Sequence, residues 1–216
     1  MEIYETEEEQ VAAIKAWWKE NSHATFMGVG LGVAIILGWN YWQSYKKEQA
    51  MQASAIYSTL LSANESGNKA QLTEATEQIR KAYGSTDYNQ YASLFEANNA
   101  LQQGDQAKAR ALLESVANSS DLALSNIAKI RRVRLMLANK EYEQGLAYIN
   151  AIDPATTAGF SGHYDELVGD LYVALDRLDL ARTSYESALR NGLQSPLLAM
   201  KIDDLTVSTK KMESKQ

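Results

Sequence analysis

Cysteine is missing from all 216 residues, which excludes disulfides, thiolate metal sites and cysteine nucleophiles but is neutral about compartment, since cytosolic and periplasmic domains alike can lack it. Proline is nearly missing: Pro154 and Pro196 are the only two. With abundant Ala, Leu, Gln and Glu and few β-branched runs, this favours helices over strands, and the expectation is an all-α protein. The two histidines, His23 and His163, lie far apart in the chain and neither belongs to a recognised ligand motif, so no metal role and no cofactor is expected. No Ser/His/Asp motif, phosphate loop or HExxH is found, and carboxylates sit among Lys and Arg at i+3 or i+4 as on solvated helix faces. An enzyme is not expected. A basic surface at scale is also lacking, the formal net charge being −6, which argues against nucleic acid as a partner.

A second absence organises the chain. Residues 24–45, ATFMGVGLGVAIILGWNYWQSY, contain no Asp, Glu, Lys or Arg. Their most apolar part, 25–42, would be roughly 27 Å long as a helix, close to the ~30 Å hydrocarbon thickness of a bilayer. Phe26, Met27, Val29, Leu31, Val33, Ile35, Ile36 and Leu37 point all round the helical wheel, whereas a surface helix keeps one polar face. The stretch reads as a membrane span. A cleaved signal peptide fits poorly, because the apolar run begins late, exceeds a usual h-region, and the nearby A-x-A at Ala53-Ser54-Ala55 lies past its end. GVGLGV is not a dinucleotide loop, since the third glycine of GxGxxG would fall at Val33 and no strand precedes it. Gly28 and Gly32 form a GxxxG, and Gly30, Ala34 and Gly38 form a second small-residue stripe; both would suit close packing against another transmembrane helix.

Before the span, residues 1–10 are acidic, and Val11, Ile14, Trp17 and Trp18 recur at helical spacing, so 1–23 reads as an acidic segment leading into an interfacial amphipathic helix. Lys15 and Lys19 on one side are matched by Lys46 and Lys47 on the other, and the positive-inside rule returns a tie. The short N-terminal segment and the large domain that follows favour an N-in, C-out signal anchor.

About 160 residues remain, enough for one core. Helical pattern continues through 43–61, with Ala53, Ile56, Tyr57, Leu60 and Leu61 on one face. Then the chain repeats. Ala75, Ala109, Gly145 and Ala181 are spaced 34, 36 and 36 apart, and four positions after each come Ile79, Leu113, Ile149 and Tyr185. Turn signals fall at Gly104-Asp105, Asn139-Lys140 and Asp176-Arg177. A helix-turn-helix period in the mid-thirties is the tetratricopeptide signature, clearest at Gly169, Tyr172, Ala181, Tyr185 and Ala188. Departures are the lack of an opening Trp, Asp176 in place of the turn glycine, and a closing proline displaced to Pro196. Four units are expected, at 47–84, 88–118, 121–152 and 161–191, within a domain spanning 46–205 that ends in a capping helix near 197–205. Residues 206–216 read as a disordered basic tail.

A solenoid of this kind presents its first helices to a concave groove. Counting from the small positions Ala97, Val133 and Gly169, the groove-facing candidates are Tyr91, Asn98, Leu101, Arg134, Asp170 and Val173. The basic cluster Lys129-Ile-Arg-Arg-Val-Arg134 is either a solvated face paired with local carboxylates or a clamp inside that groove.

Four stretches carry a resemblance: the opening MEIYETEEEQV, Trp17-Trp18-Lys-Glu-Asn21, Gly38-Trp-Asn-Tyr-Trp42, and Met200-Lys-Ile-Asp-Asp-Leu205. In these the chain resembles the YfgM family of ancillary SecYEG translocon subunits. The resemblance implies a single-pass bacterial inner-membrane protein with a cytoplasmic N-terminus and a periplasmic tetratricopeptide-like domain. It further implies association with the SecYEG translocon and the membrane-anchored chaperone PpiD, assistance in passing translocated polypeptides to periplasmic chaperones, and a cytoplasmic-side influence on an Rcs-type stress regulator. It carries over no catalytic residue. The alternative is a tetratricopeptide assembly factor for another envelope machine, such as outer-membrane insertion or a secretion apparatus; a regulator of an enzyme acting through the same groove ranks third.

Overall fold

The structure, a computed structural model, describes residues 7–213. It is all-α, with no strand among the described residues. Helix α1 is Glu7–Glu65, followed by α2 Lys69–Ala82, α3 Asp87–Gln102, α4 Gln106–Ala117, α5 Leu122–Ala138 and α6 Tyr142–Asn150. A short 3₁₀ turn at Pro154–Thr156 leads to α7 Ser161–Ala174, α8 Leu178–Arg190 and α9 Pro196–Glu213. Two compact units are present, Met1–Ala55 and Ile56–Gln216. The boundary therefore falls ten residues later than the expected start of the helical domain at 46.

The interfacial segment and the span are not separate helices. Nothing between Glu7 and Glu65 is a proline, and α1 continues unbroken through both. Among the described residues, α1 is the one helix long and apolar enough to cross a membrane. Phe26, Leu31, Ile35 and Leu37 are all more than half exposed, so the apolar surface encircles the helix. Apart from the adjoining turns of α1 itself, no atom of the described residues lies within 4 Å of where a side chain would begin at Gly28, Gly30, Gly32 or Gly38. Trp39 and Trp42 lie with ring centroids 5.3 Å apart, and Lys46 Nζ sits 4.1 Å over the Trp42 ring, a cation covering an aromatic as at a bilayer edge. Residues 1–6 of the acidic segment lie outside the described residues.

In the second unit the repeats are helical hairpins: the end of α1 with α2, then α3–α4, α5–α6 and α7–α8. The 34–36 spacing marks where second helices approach their neighbours: Ala75, Ala109, Gly145 and Ala181 are all buried, as are Ile79, Leu113 and Tyr185. Small side chains here let helix axes come close, and the large residue one turn later fills the gap this leaves. Apolar clusters accordingly join neighbouring hairpins, one from Leu94 through Leu113 to Leu124 and Leu135, the next from Ile130 and Val133 to Leu167 and Leu171.

Each hairpin turns through one residue of positive φ: Gly67 (68°), Gly104 (79°), Lys140 (62°) and Asp176 (58°). The first two are followed by working N-caps, with the Gln71 N–H donating to Asn68 Oδ1 at 3.2 Å and the Lys108 N–H to Asp105 Oδ1 at 2.9 Å. The last two lack both devices. There a side chain occupies left-handed backbone at roughly 1–2 kcal/mol, and the following residues, Glu141 and Arg177, make no side-chain cap. Instead they reach to the preceding repeat, Glu141 pairing with Arg110 and Arg177 with Glu143. The turn chemistry has been exchanged for ion pairs between repeats.

A polar joint lies where α5 meets α7. Asn126, 1 % exposed, donates through Nδ2 to the Leu122 carbonyl (2.7 Å) and the Thr156 carbonyl (2.8 Å), while its Oδ1 accepts from the Tyr164 hydroxyl at 2.7 Å. Burial, then the neighbouring Tyr148, pushes the Tyr164 phenol far up, so it stays a donor. Tyr164→Phe leaves Asn126 Oδ1 buried without its partner, which costs about 1–2 kcal/mol. A fall in thermal midpoint of ~2–8 °C is expected, and an unchanged melting curve would show the joint carries no stability.

The C-terminal end requires a correction. Residues 206–213, expected to be disordered, continue α9 as far as Glu213; 214–216 lie outside the described residues. Neither Gly nor Pro follows Pro196, which itself starts the helix with a pre-set φ, so nothing in the sequence stops it at Leu205.

Candidate functional site

An open cavity of about 680 Å³ lies in the second unit between α1, α3 and α5. Helix α3 supplies Tyr91, Leu94, Phe95, Asn98 and Leu101, a stripe at i, i+3, i+4, i+7 and i+10 that helical geometry places on one face. Helix α5 supplies Leu124, Ile127, Arg131 and Arg134 by the same periodicity, and α1 contributes Tyr57. Leu113 of α4 is part of the lining.

One end of the cavity is aromatic. Tyr57 stands with its ring centroid 5.5 Å from Tyr88, 5.8 Å from Tyr91 and 6.0 Å from Phe95. These are the tilted and edge-on separations that aromatic quadrupoles favour. Burial, and then the neighbouring Tyr91 and Tyr88, raise the Tyr57 phenol above its ordinary value, so it presents a neutral hydroxyl.

The other end is cationic. Arg131 donates from Nη1 to the Leu94 carbonyl at 3.3 Å; burial, and then the charge of Arg134, lower its pKa from the ordinary arginine value. None of the lining side chains is Asp or Glu. The rest of the basic cluster behaves differently: Arg132 pairs with Glu114 and lies 4.5 Å over the Tyr148 ring. The cluster thus divides, Arg132 joining repeats and Arg131 and Arg134 facing the cavity.

Of the six residues expected in a groove, Tyr91, Asn98, Leu101 and Arg134 line this cavity. Asp170 and Val173 do not. Asp170 accepts from the Tyr185 hydroxyl at 2.8 Å and from Lys201 Nζ at 2.7 Å to its Oδ1, and Lys201 also reaches Glu166 Oε1 at 2.8 Å. Counting from Gly169 could not foresee that α9 delivers a lysine to that face. Burial alone would lower the Lys201 pKa, but hydrogen bonds to Asp170 and Glu166 outweigh it and raise it; the group stays a cation that fastens α9 to α7. Val173 is exposed on α7, outside the cavity. Arg131, three positions before Arg134, belongs to the basic cluster read as a possible clamp, and Phe95, four positions after Tyr91, follows by continuing the α3 stripe. Tyr57 arrives from α1, and no local pattern links it to α3.

Among the described residues no group of three His, Asp or Glu could hold a metal ion. The cavity offers apolar and aromatic walls, one carboxamide and two guanidinium groups. Beside them stand the Tyr57 and Tyr91 hydroxyls, with no Asp, Glu or His in the lining.

The tetratricopeptide repeat-like domain family model matches residues 15–207. The chain is similar to the ancillary SecYEG translocon subunit of Haemophilus influenzae, 32% identical over 92% of this chain and 97% of that protein. It is likewise similar to the ancillary SecYEG translocon subunits of Escherichia coli K12, 29% identical over 96% and 100% of the two chains, and of Aggregatibacter actinomycetemcomitans, 30% identical over 92% and 97%. No solved structure matches significantly.

Proposed function

The chain belongs to the tetratricopeptide repeat-like family and to the ancillary SecYEG translocon subunits, and from that premise we propose that it is a non-enzymatic scaffold anchored beside the SecYEG translocon in a bacterial inner membrane. In this reading α1 crosses the bilayer once, with the N-terminus cytoplasmic and the helical domain periplasmic. The domain keeps the chaperone PpiD and emerging polypeptides at high local concentration and so assists transfer to periplasmic chaperones. Confinement by a single anchor raises effective concentration without requiring tight pairwise contacts. The observation that carries the reading is one chain combining a membrane-length apolar helix with a repeat domain whose open cavity is lined by recognition groups and no catalytic set. A cytoplasmic influence on an Rcs-type regulator would use the acidic N-terminus.

Photocrosslinking from within the span tests this in native membranes. A photoreactive residue at Gly30, where a side chain meets nothing within 4 Å, or at Ala34 is expected to yield adducts with translocon subunits or PpiD. Adducts confined to an unrelated envelope complex, such as outer-membrane insertion or secretion machinery, would replace this proposal with an assembly-factor role.

A further inference from the structure

We propose that α1 carries a binding site for an anionic phospholipid at the C-terminal end of the span, the lipid phosphate lodging among the Lys46 and Lys47 ammonium groups and the Trp42 indole N–H. The proposal rests on α1 crossing the bilayer and adds the headgroup chemistry that the chain selects there.

Helix geometry sets the depth. With 25–42 in the hydrocarbon, Lys46 lies four residues, roughly 6 Å, past its edge, in the headgroup layer. Lys19 and Lys46 are 27 positions apart, roughly 40 Å along a helix, which matches the ~40–45 Å of a bilayer with its headgroups. Trp39, Trp42 and Lys46 follow one another at i, i+3 and i+7 and share one face. The structure joins them in a ladder: the two indole centroids are 5.3 Å apart, and Lys46 Nζ lies 4.1 Å over the Trp42 ring. Trp42 stands one turn nearer the hydrocarbon than Lys46, so the ammonium turns back toward the bilayer instead of extending into water. Both indoles remain exposed to a ligand.

Charge selects the occupant. From Asn21 to Lys47 the chain has no Asp or Glu. Glu48 comes next, but its Oε1 accepts from Gln52 Nε2 at 3.3 Å, which engages it one turn farther from the bilayer. The other end of the span is balanced by sequence, Lys19 being followed by Glu20 and Lys15 preceded by Glu7, Glu8 and Glu9. A phosphodiester therefore supplies at Lys46 and Lys47 the anion that the chain does not. Ammonium groups meet phosphate as point charges without demanding a planar fork, and the indole N–H gives a phosphate oxygen a further donor. A zwitterionic headgroup brings its own cation to the same depth and gains less.

Quenching of tryptophan by lipids brominated on the acyl chain near the headgroup reads each end separately. The full chain carrying Trp17→Phe and Trp18→Phe, which emits from Trp39 and Trp42, is reconstituted in phosphatidylcholine vesicles with rising fractions of brominated phosphatidylglycerol or brominated phosphatidylcholine. Each lysine near an anionic surface favours binding roughly fivefold, so phosphatidylglycerol should reach half-maximal quenching at a mole fraction about tenfold lower. Lys46→Gln with Lys47→Gln should make the two lipids equivalent, whereas Lys46→Arg with Lys47→Arg should keep the preference. Trp42→Leu, read through Trp39, should reduce it about threefold by removing the ring that holds the ammonium. The converse chain, with Trp39→Phe and Trp42→Phe, emits from Trp17 and Trp18 and should distinguish the lipids by less than about twofold. Equal quenching by both lipids at Trp39 and Trp42, a preference that survives Lys46→Gln with Lys47→Gln, or one equally strong at both ends would overturn the site. Quenching by both lipids without selectivity leaves the span standing; emission that neither lipid quenches would remove span and site together.

Discussion

Gly169→Val lowers the thermal midpoint by about 6 °C or more, and even Gly169→Ala lowers it, although alanine in a helix interior ordinarily gains about 1 kcal/mol over glycine. Gly169 lies within α7, and a Cβ built there would fall well inside van der Waals contact of Tyr185 Cε1 and Cδ1 on α8. The ring cannot step aside. Tyr185 is 2 % exposed, its hydroxyl is held by Asp170, and Lys201 Nζ lies 5.7 Å over its face. Forcing extra atoms into a packed joint costs about 1–3 kcal/mol and occasionally more, and each kcal/mol moves the midpoint of a domain this size by about 2–4 °C. Gly145→Ala is the internal control. Its Cβ would meet the branched end of Leu171 at 3.0 Å, a side chain able to yield, so the packing penalty and helix-propensity gain nearly cancel. Thermal unfolding followed by circular dichroism compares the two, and combining Gly169→Ala with Tyr185→Leu should cost less than the sum of the single changes. A Gly169→Ala variant more stable than wild type would show that α7 and α8 do not meet at this position.

Ala34→Lys releases the protein from the membrane. The apolar residues Phe26, Val29, Leu31, Val33, Ile35, Ile36 and Leu37 each favour insertion by about 0.3–0.6 kcal/mol, roughly 2–4 in total, before four glycines and Asn40 are set against them. A lysine at the centre of a span costs about 2.5–3.5 kcal/mol, which consumes the whole margin. The apolar side chains of the span are exposed all round α1, as those of a helix facing lipid would be. Alkaline carbonate extraction provides the readout: wild type remains with the membrane pellet and Ala34→Lys moves to the supernatant. A variant that stays in the pellet would refute the span.

Repeat register was legible because it depends on side-chain size at fixed intervals. Ala75, Ala109, Gly145 and Ala181 predict where helices approach, and each is buried there. Turn positions were legible as well, including Asp176, whose left-handed backbone is an asparagine-like concession by a short polar residue. The Asn126–Tyr164–Thr156 joint was not legible, since its members lie 30 and 38 positions apart and none belongs to a repeating pattern. Four of the cavity's lining residues, Tyr91, Asn98, Leu101 and Arg134, followed from stripe geometry on α3 and α5. The division of the basic cluster did not, because helix periodicity alone cannot say which arginine meets a carboxylate of α4.

Composition and spacing determined by themselves that this chain is helical, that one charge-free stretch is long enough for a bilayer, and that the remainder repeats every 34–36 residues. Such properties arise from local sterics and from the solubility of each segment, which every residue carries with it. Tertiary structure alone decided that Arg131 and Arg134 share a cavity with Tyr57 and that Asp170 is occupied by Lys201. It also decided that α9 reaches Glu213. Charges and rings act through distance, and distances between residues far apart in sequence exist only once the helices have packed.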